Sequence, residues 1–182
     1  MLRICFGSEI NLTRDWLSEN ADRYYELLAH EIFHGLQYQI TGNDREMAVI
    51  GSRSVIGPEW LVEGAAEFMA RRATYGTDIP LDSELDYLYE RASGSTQTLD
   101  RLEVQFQHSS FEDYTISDLA ASLLAIKFGT EALIGFWKEA GTGADWESAF
   151  EASFGLSLED YQQLFETLRR DPKAAASWIS GT

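Results

Sequence analysis

Two histidines four positions apart, with a glutamate directly after the first, stand at His30-Glu31-Ile32-Phe33-His34. On a helix, residues i and i+4 lie on one face, one turn apart, so both imidazoles can reach a single metal ion. Glu31 projects from the edge of that face. A carboxylate there can take a proton from a water held by the same ion.

A catalytic zinc site takes three protein ligands and leaves one position open. Beyond the pair, the only other histidine is His108, and Cys5 is the only cysteine, so no cysteine zinc site and no intrachain disulfide can form. The segment Pro58-Glu59-Trp60-Leu61-Val62-Glu63-Gly64-Ala65-Ala66-Glu67 offers the missing ligand. Glu63 and Glu67 are again i and i+4. Gly64, Ala65 and Ala66 are small enough to let this helix pack closely on another backbone. Glu63 is expected to reach the metal. Glu67, one turn on, is expected to accept a hydrogen bond from a ligating histidine and so fix its tautomer and ring orientation.

H-E-x-x-H followed by W-L-x-E-G-x-A-E resembles the gluzincin zinc peptidases, the group of thermolysin, the aminopeptidase N-like enzymes and the bacterial collagenases. The 28 residues between His34 and Glu63 are closest to the collagenase spacing. The resemblance covers His30 to Glu67 and, less specifically, Tyr114 to Asp171. Residues Gly76 to Ser110 match no pattern of that group. It implies a zincin-like domain holding one Zn2+ through His30, His34 and Glu63, with Glu31 as general base and Glu67 behind a ligating histidine. The implied activity is hydrolysis of a peptide or protein substrate. The same likeness implies a tyrosine near the start of a later helix as donor to the tetrahedral oxyanion, which falls on Tyr114; His108 is the alternative, since thermolysin-like enzymes use histidine. The G-x-M-E-N segment of aminopeptidase N-like enzymes is absent, which favours an endopeptidase. The ligand set would also suit a zinc-stabilised helical interaction module without catalysis, or the catalytic segment of a larger peptidase.

The bulk properties suit such a domain. The chain has 182 residues, 45% apolar and 13% aromatic, enough to bury a core. Thirty acidic residues against 14 basic ones leave a formal charge of -16, which disfavours nucleic acid and anionic lipid as partners. No basic start followed by an apolar run marks a signal peptide. The apolar window Leu119 to Phe136 is interrupted by Lys127, Gly129 and Glu131 and reads as two packed helices, not a membrane span. The composition leaves the compartment open.

The expected elements are mainly α (α+β): a small N-terminal strand element within Leu2 to Leu12, then helices. Asn20 caps a helix over Ala21 to Ile40, and Asn43 to Gly57 is a loop. Pro58 opens a second helix that Gly76 ends. Leu85, Leu88 and Tyr89 suggest a short helix, followed by a flexible loop over Ala92 to Thr98. Thr115-x-x-Asp118 reads as a capping box for a helix ending at Gly129. Thr130 caps Glu131 to Ala140, Asp145 opens a helix ending at Gly155, and Ser157-x-x-Asp160 opens the last, which Pro172 follows. Trp137, Trp146, Phe150, Phe154, Tyr161 and Phe165 recur at helical spacing and are expected in the core. Residues 1–172 then form a single domain and 173–182 a loosely held tail.

Overall fold

The computed structural model describes residues 2–5, 9–12, 21–42, 56–76, 81–104 and 110–181. Strands β1 (Leu2–Cys5) and β2 (Glu9–Leu12) pair antiparallel, with Leu2 opposite Leu12 and Ile4 opposite Ile10. Eight helices follow among the described residues, and the chain is mainly α. They are α1 (Ala21–Thr41), α2 (Glu59–Tyr75), α3 (Leu81–Ala92) and α4 (Phe111–Phe128), then α5 (Thr130–Ala140), α6 (Trp146–Phe154), α7 (Leu158–Leu168) and α8 (Pro172–Ser180). The expected cap Asn20 and the expected loop over 43–55 lie outside the described residues.

Helix α4 is the axis of the fold. Every residue from Thr115 to Ala125 is buried, and a helix apolar nearly all round belongs inside a packed layer. Helix α2 packs on α4 along one face and on α1 along another. Gly64 makes the first contact possible. A Cβ on Gly64 would lie 2.0 Å from the Ser117 carbonyl oxygen and 3.0 Å from the Ala121 Cβ. Only glycine fits this crossing.

The C-terminal half wraps α4 with aromatic side chains. Trp137, Phe150, Tyr161 and Phe165 are fully buried, and Trp146 and Phe154 nearly so. Phe150 lies 5.8 Å from Tyr161 and 6.4 Å from Phe136, centroid to centroid, and Phe136 meets Trp137 edge-on at 5.4 Å. Such edge-to-face pairs add to the area they bury. The Tyr161 hydroxyl donates to the Ala120 carbonyl at 2.6 Å, tying α7 to α4.

Local signals place most helix ends. Asp145 and Ser157 cap α6 and α7 by accepting from the amides of Ser148 and Asp160. Pro58 precedes α2 in extended conformation, and its carbonyl accepts from the amides of Leu61 and Val62.

Four expectations are corrected. Helix α4 starts at Phe111, not at Thr115: Ser110 and Asp113 form the capping box, and Thr115 lies a turn inside, its hydroxyl donating to the Phe111 carbonyl. Gly129, with φ 88°, takes the cap position of α5, so Thr130 is its first residue and caps nothing. Residues 173–181 are not a loose tail. Asp171 caps α8, Pro172 takes its first turn, and Ala175 is buried. Lys127 fastens α8 to α4 by donating from Nζ to the Trp178 carbonyl, its ammonium 4.9 Å over the Trp178 ring. The expected loose loop over Ala92 to Thr98 is tied as well, since Arg169 donates to the Gln97 carbonyl at 2.9 Å.

The apolar window Leu119 to Phe136 does break at Gly129, where α4 and α5 are bent by 106°. Among the described residues no single helix is long and apolar enough to cross a membrane.

Candidate metal centre

Helix α1 is held by Phe33, which packs edge-on against Trp137 at 5.7 Å, and at its end by Gly141, whose missing side chain admits the Ile40 carbonyl. With Phe33 and Gln37 turned inward, helical periodicity puts His30 and His34 on the side facing α2. His30 is buried and His34 partly so.

Helix α2 brings Glu63 to the same point. The Nε2 atoms of His30 and His34 are 2.9 Å apart, and Glu63 Oε2 lies 3.4 Å from the first and 3.6 Å from the second. A tetrahedral zinc ion about 2.0–2.1 Å from each ligand requires ligand atoms separated by about 3.3 Å. The triangle thus has the size of one face of a zinc tetrahedron. Among the described residues, these three form the one group of histidine and carboxylate side chains so arranged.

The electrostatics match a site built to exchange a proton for a cation. Burial alone would lower the His34 pKa, but the hydrogen bond and charge of Glu63, helped by Gln37 and Glu31, raise it to about 9. Burial would raise Glu63, yet the two imidazoles hold its carboxyl well below the usual carboxylate range. The imidazoles and the Glu63 carboxylate thus hold a proton between them, and any cation bound there would compete with it.

Behind the ligands the two histidines differ. His30 Nδ1 is buried and makes no hydrogen bond; Glu67 Oε1 lies 3.4 Å away. Burial raises the Glu67 carboxyl to about 7, although the His30 charge opposes it. Glu67 thus stands beside His30 Nδ1 as its position in the sequence suggests, slightly beyond hydrogen-bond length. His34 Nδ1 has a closer partner in Gln37 Oε1, at 2.8 Å. Gln37 is fully buried and donates from Nε2 to the Val62 carbonyl of α2 at 3.0 Å. The motif H-E-x-x-H gives no hint of Gln37. Its signal was position, three residues after His34 and so on the same helix face.

A second cluster lies farther along α2. Arg71, two turns beyond Glu63, donates from both terminal guanidinium nitrogens to the Asp118 carboxylate of α4. It also reaches Ser122 Oγ at 3.1 Å and Glu84 of α3 at 3.1 Å. A buried arginine with two carboxylates is satisfied in this way, and the cluster joins three helices. Asp118, expected as a helix cap, is a partner in this cluster instead.

The remaining expected residues divide. Glu31 is half-buried, and its charge is felt at His34. Tyr114 lies in the first turn of α4 and is 39% exposed. Burial raises its hydroxyl to about 12, and the charges of Glu63, Glu59 and Glu67 add to the rise. It therefore stands within the field of Glu63 and stays protonated at neutral pH. His108 lies outside the described residues. No protein-family model, curated protein or solved structure matches this chain.

Proposed function

We propose that this chain is a zinc-dependent peptidase with a zincin-like, gluzincin-type site, in which His30, His34 and Glu63 hold one zinc ion. The observation that carries this reading is the convergence of His30 Nε2, His34 Nε2 and Glu63 Oε2, all within 3.6 Å of one another, from two separate helices. The unbonded, buried His30 Nδ1 beside Glu67 supports it, because ligation through Nε2 leaves Nδ1 as a donor for which Glu67 is the acceptor.

When bound, zinc would acidify a water and polarise a carbonyl. Glu31 takes the proton from the attacking water and returns it to the leaving amine nitrogen, so that the peptide C–N bond breaks with a neutral amine as leaving group. Tyr114, whose hydroxyl keeps its proton, donates a hydrogen bond to the oxygen on which negative charge builds.

Glu31→Gln keeps the shape of the side chain and removes the base. Hydrolysis of a peptide library should fall by roughly a hundred- to ten-thousand-fold while zinc content stays at one per chain. A variant that cleaved as fast as the parent would overturn the mechanism.

A further inference from the structure

The Gln37 amide is held from both sides, and its two contacts are not interchangeable. The Val62 backbone carbonyl can only accept a hydrogen bond. Gln37 must therefore turn its NH2 group to Val62, 3.0 Å away, which leaves its carbonyl oxygen facing His34 Nδ1 at 2.8 Å. An amide oxygen is also only an acceptor, so Nδ1 of His34 carries the hydrogen. In a singly protonated imidazole the lone pair then sits on Nε2, the atom that points at His30 Nε2 and Glu63 Oε2.

We infer that Gln37 is the positioning residue of the metal centre: it selects the His34 tautomer, and it does so only when α1 is docked on α2. This rests on the metal-binding reading above and adds how that site is assembled. Val62 immediately precedes Glu63, so the carbonyl that orients Gln37 and the carboxylate that completes the ligand set move as one rigid piece of α2. Two ligands from different helices are thereby tied to one registration of the helix pair. The choice of an amide also has a chemical consequence. Glu31, Glu63 and Glu67 already surround the histidines. A neutral acceptor fixes His34 without adding a fourth negative charge that would blunt the acidity of the bound cation.

The test uses the full chain loaded with zinc, with Gln37→Leu and Gln37→Glu compared with the parent. Zinc affinity comes from chelator competition, and the His34 tautomer from long-range 1H–15N correlation spectra. Visible absorption of the cobalt-substituted protein reports ligand geometry. Gln37→Leu should weaken zinc by about 10- to 100-fold and shift the cobalt bands. Gln37→Glu, which keeps an acceptor for Nδ1 but has no hydrogen for Val62, should fall between Leu and parent. It also answers the question should Gln37→Leu fail to fold. Parent-like zinc affinity and an unchanged His34 spectrum in the folded variants would overturn the inference and leave the proposed function standing. A parent chain that takes up no zinc would overturn both.

Discussion

The seam between α1 and α2 and the aromatic layer formed by α5 to α8 are both buried, yet they are built on opposite rules. In the seam, each buried group has an assigned direction: Gln37 toward Val62 and His34, Glu63 toward two imidazoles. In the layer, Phe136, Trp137, Phe150 and Tyr161 fill space with edge-on and tilted rings. Packing of this kind tolerates changes of shape at modest cost but is sensitive to lost volume. Directional contacts are the reverse: a small atomic change that preserves volume can remove the function. The seam orders polar groups, and the layer buries apolar volume.

Phe150→Ala gives the largest separation. Removing a fully buried ring from the layer should cost about 3–5 kcal/mol in unfolding by denaturant, with zinc affinity of the folded protein unchanged. A large loss of zinc affinity at low denaturant would mean that the layer and the seam are not separable. Tyr114→Phe tests the other side. It removes one oxygen from a partly exposed residue, so the denaturation midpoint should barely move. The turnover number should drop about 10²- to 10³-fold with little change in KM. An unchanged turnover number would remove Tyr114 from the reaction. Gly64→Ala costs more in folding than Tyr114→Phe, about 3 kcal/mol, and it reaches the seam through α2. Its methyl would press on the Ser117 carbonyl and push α2 off α4, displacing Glu63 with it. Folding stability and zinc affinity should fall together, and a variant that lost only one would show that the crossing and the ligand are independent.

What was legible in the sequence follows the same division. That His30 and His34 share a face could be read because helical spacing converts directly into one, and Glu63 does converge on them. The core aromatics could be read for the same reason, and Asp145 and Ser157 because a cap is a local hydrogen bond. The start of α4 is ambiguous in the sequence because two neighbouring patterns compete, Ser110-x-x-Asp113 and Thr115-x-x-Asp118. Only the fold decides between them, by giving the Asp118 carboxylate to Arg71. Helix α8 carried its own signals, an aspartate cap and a proline in the first turn, but Pro172 was read as the end of α7 and not as a beginning. Gln37 offered only its position on the His34 face, since its role depends on a backbone carbonyl 25 positions away.

Arg71 also bears on the face of α2 that carries Glu63. A helix lying on its neighbours can in principle turn about its own axis, and side chains about 5–6 Å from that axis would move by about 1 Å for each 10° of turn. The Arg71 guanidinium is a flat fork whose hydrogens must meet the Asp118 carboxylate, with Ser122 and Glu84 closing its flanks. It therefore acts as an index pin that fixes the rotational phase of α2. Glu67 and Glu63, one and two turns along the same helix, inherit that phase. The angle at which the Glu63 carboxylate meets the two imidazoles is set by a charge pair that touches none of the three.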